Sequence, residues 1–288
     1  MTTVRTLSED TNPAVERMQT AIMARLPAWR KLQLIAGMNT LLSTLAAEGI
    51  AERCPDANAD EVWFRLDARR VGAVAARQLG LARAGRAEAY KEGMYVTADP
   101  IPVMMMVIAA LERLGVPYYI GGSLASGVHG TYRATADADI VADLHEDQVD
   151  SLTRMLEGQF YADAEMMRDA IQHRASFNLL HLDTGFKVDV FITKGRPFDR
   201  SQFERRVSAP ITPDGEDSVY LADAEGTILA KLEWYRAGNE VSDRQWNDIL
   251  GVLKVRVDDI DRDYLRHWAA RLRLSDLLAR AFDDAGAA

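Results

Sequence analysis

The chain has 288 residues, 48% of them apolar and 27% charged, and a net charge of −9 at pH 7. This is the composition of a soluble globular protein with room for one large domain or two modest ones, and its acidity argues against a protein coated in nucleic acid, which needs Lys and Arg for phosphate contacts, while leaving room for a local basic groove. The single cysteine, Cys54, has no partner for an internal disulfide and points to a reducing compartment.

The first ten residues, MTTVRTLSED, are polar and lack an apolar signal core. No stretch reads as a membrane span, since the Ile101 to Leu114 run is short and carries Glu112, so the expected location is cytoplasmic, with no membrane partner. Asn12 and Pro13 suit an N-cap and first helical position, with Val15, Met18 and Ile22 at helical spacing behind them. Pro27 separates this helix from a second, whose stripe of Leu34, Met38, Leu41 and Leu45 is expected to stop at Gly49. Asp60 is read as the cap of a third helix running to about Gln78. Residues 1–95 therefore read as an N-terminal α-helical module.

From Trp63 to Lys91 that module holds seven basic side chains (Arg65, Arg69, Arg70, Arg77, Arg83, Arg86, Lys91) against two acidic ones, Asp67 and Glu88. One reading is a surface for nucleic acid or an acidic partner. The favoured one is a solvated helix face whose arginine stems cover apolar surface.

Gly93 to Pro102, with two prolines, reads as a linker. Val103, Val107, Leu111 and Leu114 then mark a helix closed by Gly115. An apolar strand follows at Tyr118-Tyr119-Ile120. Gly121, Gly122 and Ser123 open a short small-residue helix to about Val128, and a polar connection carries His129, Arg133 and Thr135. Next comes Asp137-Ala138-Asp139-Ile140-Val141-Ala142. Strand geometry sends Asp137 and Asp139 to one face and Ala138, Ile140 and Ala142 to the core. Two carboxylates so placed repel each other. A divalent cation between them reverses that sign, and hard oxygen ligands suit magnesium. Upstream, the backbone N–H groups of a glycine-rich turn opening a helix can hold a phosphate.

Beyond this, Glu146 to Glu157 and Ala164 to His173 read as helices, with a short strand at Phe160-Tyr161 between them. Ser176 to Thr193 reads as a hairpin turning at Asp183-Thr184-Gly185. On its second arm Val188, Val190 and Ile192 share one face, and Lys187, Asp189 and Phe191 the other. From Phe198 to Val219 only the Pro213-Asp214-Gly215 turn is legible. Four helical stripes close the chain: Ile228, Leu232, Tyr235; Trp246, Ile249, Leu250, Leu253; Tyr264, Trp268, Leu272; and Leu274, Leu277, Leu278, Phe282. All are read as core faces.

Gly122-Ser123, a spacer and Asp137-x-Asp139 on the next strand resemble the signature of the DNA polymerase β-like nucleotidyltransferase superfamily. The resemblance implies an α+β fold: a small mixed β-sheet core flanked by helices at residues 96–220, with the N-terminal α-helical module before it and a C-terminal helical bundle at 221–288 completing the cleft. It implies a third carboxylate on a neighbouring strand, for which Asp189 is the candidate. It also implies two Mg2+ ions and an NTP substrate. Asp137 and Asp139 would hold the ion gripping the triphosphate and, with Asp189, the ion beside the acceptor hydroxyl, Asp189 serving as general base. Gly122 and Ser123 would meet the β- and γ-phosphates. Arg133 would either neutralise phosphate charge or buttress the carboxylates. Asp189 has an alternative, a plain ion pair with Lys187 or Arg133, and His129 is read as structural.

Leu229 to Leu250, LAKLEWYRAGNEVSDRQWNDIL, resembles the Lys-x4-Arg … Asp-x4-Asp element of AbiEii-type nucleotidyltransferases, bacterial toxin or phage-defence proteins. That likeness implies Lys231 at the triphosphate, positioned by Asp248. The alternative for Asp248 is an i,i+4 pair with Arg244. The N-terminal module and Asp-Ala-Asp in place of the commoner Asp-Ile-Asp depart from the pattern. The function expected is Mg-assisted transfer of an NMP to an acceptor hydroxyl on RNA, protein or a small molecule, with a cognate antitoxin among the candidate partners. The alternative is an inactive member of the fold whose helical module recruits a partner.

Overall fold

The computed structural model describes residues 4–8, 10–84 and 99–287, the side chains of residues 59 and 82–84 excepted. Arg86, Glu88, Lys91, the side chain of Arg83 and most of the expected linker lie outside the described residues. The architecture is mixed helix and sheet, the α+β class expected. In chain order the elements begin with α1 (Pro13–Arg25), α2 (Ala28–Arg53), α3 (Ala59–Val71), α4 (Ala73–Ala84) and α5 (Pro100–Arg113). Then come β1 (Tyr118–Ile120), α6 (Gly122–His129), β2 (Asp137–Ala142), α7 (Val149–Leu156), β3 (Phe160–Tyr161), α8 (Ala164–His173), β4 (Ser176–His181) and β5 (Lys187–Ile192). The chain finishes with α9 (Pro197–Arg205), β6 (Val207–Pro210), β7 (Ser218–Leu221), α10 (Ala224–Ala237), α11 (Asp243–Val255), α12 (Arg262–Leu272) and α13 (Ser275–Ala285). Two compact units share the chain by interleaving. One comprises residues 1–33, 119–133 and 195–288, the other residues 34–118 and 134–194.

In the second unit the strands run β3-β4-β5-β2. β4 and β5 form the antiparallel hairpin, and β5 lies parallel to β2 with Asp137 opposite Lys187 and Asp139 opposite Asp189. This register follows from the alternation of side chains. Ala138, Ile140 and Ala142 on β2 and Val188, Val190 and Ile192 on β5 are all buried on the face away from the carboxylates. A slip of one residue would turn every one of them outward. Helix α5 buries Val103, Val107, Ile108 and Leu111 and packs on β2, while α8 packs on β4 and β5. Each such aliphatic side chain contributes about 2 kcal/mol on burial.

The helical segment of this unit packs onto its own neighbours. Ala47 and Ile50 of α2 meet Val62 and Leu66 of α3, and Leu79 of α4 meets Leu180 and Leu182. Arg70 donates to the Thr184 carbonyl at 2.8 Å and to Ser43 Oγ at 2.6 Å, and Arg65 pairs with Glu61 at 2.6 Å. These two arginines of the basic stretch are thus engaged within the chain.

Several helices differ from the sequence expectation. The expected cap at Asn12 is present, its Oδ1 accepting from the Ala14 amide at 2.8 Å. Yet Val15, Met18 and Ile22 are exposed, and α1 buries Glu16, which accepts from the Leu7 amide and pairs with Lys254. On α2 the stripe of Met38, Leu41 and Leu45 is also exposed; Leu32, Ile35, Ala36, Ala47 and Ile50 face inward, and the helix runs through Gly49 to Arg53. The helix has apolar residues on more than one side, and polar contacts select the buried one. Lys31 donates to the Val128 carbonyl at 2.6 Å, and Asn39 Oδ1 accepts from the Thr135 amide at 2.9 Å. By length and composition alone α2 could cross a membrane, contrary to the expectation that no stretch could; a core helix of a soluble protein meets the same criterion. The third helix is capped by Asn58, not Asp60, and breaks at Gly72, whose φ of +85° suits glycine and ends the run before Ala73.

In the first unit β1 runs parallel to β7, and β7 antiparallel to β6. Helix α6 packs against α10 and α11. The chain just after α6 approaches α11 tightly at Gly130, where a Cβ would lie 2.7 Å from Val252 N and 2.8 Å from Gly251 C. The core of the bundle contains Ile228, Leu232, Tyr235, Trp246, Ile249, Leu250, Leu253, Leu274, Leu277, Leu278 and Phe282, as expected. Helix α12 is rotated from its expected face: Leu265 and Ala269 are fully buried, while Tyr264, Trp268 and Leu272 line the margin. There Tyr264 keeps its hydroxyl 2.9 Å from Ser201 Oγ, where its polar edge finds a partner, and Trp268 packs on Phe198 with centroids 5.3 Å apart.

Candidate active site

The residues singled out in the sequence fall into two groups, one in each unit. In the second unit, parallel pairing of β2 and β5 sends Asp137, Asp139, Lys187 and Asp189 out of the same face of the sheet. Asp189 is not on the far side from the Asp-x-Asp pair. Thr135 fixes the entry to β2, its Oγ1 donating to the Asp137 carbonyl at 3.0 Å. Asn178 of β4 stands opposite Asp189 on the other flank, a neighbour missed in the sequence although counting back from the hairpin turn would have found it.

The ammonium of Lys187 lies 2.6 Å from Asp189 Oδ2 and 3.6 Å from Asp137 Oδ2. The ion pair weighed as the alternative for Asp189 is therefore present, with Lys187 as its partner. The two ends of the pair respond differently. Burial pulls against the charge on Lys187, but the hydrogen bond and charge of Asp189, with those of Asp137, outweigh it and hold the lysine above its ordinary value. For Asp189 burial dominates and lifts the carboxyl above the usual range, Lys187 offsetting only part of it. The carboxylate side chain is the less exposed partner, at 12% against 25%, so it bears the larger desolvation cost.

Asp189 Oδ1 is buried without a hydrogen-bond partner. A buried carboxylate with one orphaned oxygen, beside a second carboxylate that already shares its cation, is a donor set of the chemistry a magnesium ion takes. Among the described residues no three His, Cys, Asp or Glu side chains converge as they stand to hold a metal ion. The residue types are those a hard divalent ion takes, and Lys187 is the cation seated between Asp137 and Asp189.

In the first unit Gly121 precedes α6, whose first turn starts at Gly122 with φ +54° and has no side-chain cap. Ser123 follows in that turn, and its Oγ accepts from Arg133 Nη2 at 2.7 Å. Arg133 also forks onto Asp248, with Nε to Oδ1 at 2.9 Å and Nη2 to Oδ2 at 2.8 Å. Lys231 reaches the same carboxylate, Nζ to Oδ2 at 2.8 Å. The pairing of Lys231 with Asp248 is thus present, and Asp248 takes Arg133 and Lys231 as its partners in place of the i,i+4 pair with Arg244. Burial would raise the Asp248 carboxyl, but Arg133 and Lys231 overcome it and hold it below the usual range. Two cations on one buried carboxylate leave these three groups with a net charge of +1, adjoining a serine and a helix N-terminus. Such an arrangement favours an anion. Arg133 joins the serine and the acid in one network, a link no sequence spacing discloses.

His129 is a structural residue. It is buried, its Nε2 lies 2.6 Å from the Ala222 carbonyl, and burial pushes its pKa down to about 4, so it is neutral at pH 7.

No family model matches the chain. No curated protein matches it either. Among solved structures it is similar to the crystal structure of an antigenic nucleotidyltransferase-like protein from Paracoccidioides brasiliensis, with 16% identity and a TM-score of 0.38 over 63% of this chain and 91% of that one. It is also similar to the solution structure of the antibiotic-resistance factor ANT(2'')-Ia, with 15% identity and a TM-score of 0.38 over 65% of this chain and 98% of that one. Likenesses this loose decide nothing about chemistry.

Proposed function

We propose that the chain is a nucleotidyltransferase, moving a nucleoside monophosphate from an NTP to an acceptor hydroxyl and releasing pyrophosphate. The observation that carries this reading is the register of β2 against β5, which aligns Asp139 with Asp189 and puts Asp137 on their face. The roles then divide. The first-turn amides of α6, the Ser123 hydroxyl, Arg133 and Lys231 bind and neutralise the triphosphate, with Asp248 holding both cations in place. Magnesium held by Asp137, Asp139 and Asp189 would supply Lewis acidity at the reacting phosphate and the acceptor hydroxyl. Asp189 accepts the proton of that hydroxyl, a role favoured by the burial that lifts its carboxyl above the usual range. The acceptor oxygen bonds to the α-phosphorus as the bond to the α,β-bridging oxygen breaks, and pyrophosphate leaves.

A second reading is favoured by one observation, the ion pair that Lys187 makes with Asp189. A lysine neutralising the third carboxylate suits a member of the same fold that binds nucleotide without chemistry. Nucleotide labelled at the α- or the γ-phosphate, offered with RNA, protein and aminoglycoside acceptors, separates the two. An active enzyme transfers α-label only and loses the transfer in Asp139→Ala. Equal labelling by wild type and Asp139→Ala contradicts the catalytic assignment. The acceptor that takes the label also decides whether the toxin or defence role implied by the C-terminal resemblance applies, and cytoplasmic residence remains part of the same proposal.

A further inference from the structure

Lys187 is a charged side chain to which the sequence resemblance gives no catalytic task. It shares a face of β5 with Asp189 and stands opposite Asp137 in register, so backbone pairing alone delivers it to both carboxylates. It binds Asp189 Oδ2 at 2.6 Å and approaches Asp137 Oδ2 at 3.6 Å. Asp189 is 8% exposed, and its other oxygen, Oδ1, is buried with no hydrogen-bond partner. A carboxylate so placed has an acceptor edge turned away from the lysine, but its charge is already shared with one. An ammonium and a divalent ion both seek the same oxygens, and the monovalent partner is covalently tethered at high local concentration.

We propose that Lys187 is a tethered counter-ion that competes with a divalent cation for Asp137 and Asp189 and so sets the affinity of these carboxylates for the ion. The proposal rests on the reading of those residues as metal ligands. In this role Lys187 is a positioning residue: it holds two like charges together on the strand pair and yields when a divalent ion takes them.

The test is equilibrium binding of Mn2+ to the full chain, followed by the electron paramagnetic resonance signal of free Mn2+, with thermal melting of the same samples. Wild type is compared with Lys187→Met, Lys187→Arg and Asp189→Asn. Lys187→Met should bind Mn2+ roughly tenfold more tightly, because a competing charge within a few ångströms is gone. Lys187→Arg should stay near wild type, and Asp189→Asn should bind more weakly. Lys187→Met should also melt lower than wild type without Mn2+ and recover with it. Should Lys187→Met bind no tighter than wild type while Asp189→Asn binds more weakly, the carboxylates are ligands and the competition is disproved. If Asp189→Asn leaves Mn2+ binding unchanged, the metal reading fails first and takes this proposal with it. For the case in which Lys187→Met does not fold, a Mg2+ titration of wild type followed by NMR of the Lys187 side chain gives the same answer. A resonance that shifts with Mg2+ saturation supports competition, and one that stays fixed overturns it.

Discussion

Asp139 and Asp189 are direct partners on adjacent parallel strands, so both carboxylates leave the sheet on one face at the same level. The apolar face of that sheet, away from the carboxylates, is built by Ala138, Ile140, Val188 and Val190. Asp139→Asn should therefore lower transfer by about 10^3-fold while leaving the melting temperature nearly unchanged. Turnover and a thermal melt on the same preparation check both halves.

Asp248 is the opposite case, since its carboxylate is 5% exposed and holds both Arg133 and Lys231. Asp248→Asn strands two cations in a poorly solvated place and should cost about 3–5 kcal/mol. Urea unfolding measures the loss. Adding Lys231→Met to Asp248→Asn should restore part of it, and a double mutant no more stable than Asp248→Asn alone would show that Lys231 is not the stranded charge.

The same carboxyl gives a pH dependence with a definite sign. Its folded pKa is below the unfolded value, so its contribution is present above about pH 4 and is lost as pH falls through the lower folded pKa. The stability gap between wild type and Asp248→Asn should be flat from pH 5 to 7 and close below about pH 4.

Lys31 sets a dependence on the alkaline side. Burial, with the charge of Arg256 adding to it, lowers its pKa from 10.5 to about 8, so between those values the unfolded chain holds a proton that the folded chain lacks. Stability from this group then rises with pH across that window, by up to about 1.4 kcal/mol per pH unit. The stability of wild type relative to Lys31→Met should improve between pH 8 and 10.5 and be constant below pH 7.

Two glycines make a steric test. Gly130→Ala places a methyl 2.7 Å from the backbone of Val252, which cannot swing aside, and should cost about 1–3 kcal/mol. Gly37, within α2, has nothing within 4 Å of a built Cβ, and Gly37→Ala should gain about 0.5–1 kcal/mol. Denaturant midpoints that move in the same direction for both would contradict the packing described at Gly130.

The strand pair was legible in the sequence because alternation is a local property. Asp137 and Asp139 on one side and Val188, Val190 and Ile192 on the other already fix two faces. The helices were less so wherever apolar residues occur on more than one side. On α2 the stripe of Met38, Leu41 and Leu45 is as regular as the face of Leu32, Ile35 and Ile50, and the choice between them was made by Lys31 and Asn39 through partners far along the chain. Gly72 ended a helix whose helix-forming residues resume directly after it at Ala73. The grip of Arg133 on Asp248 joins residues 115 positions apart, and nothing local to either announces it. Lys187 was visible as a neighbour of Asp189 in the pattern of β5. That it also approaches Asp137 depends on which strand pairs with β5, a tertiary fact.

The most direct measurement is the product released from γ-labelled ATP under magnesium, with acceptor present, by wild type and by Asp139→Asn. Wild type should release labelled pyrophosphate and Asp139→Asn close to none. Labelled inorganic phosphate in its place, or pyrophosphate released equally by both proteins, would contradict nucleotidyl transfer at these carboxylates.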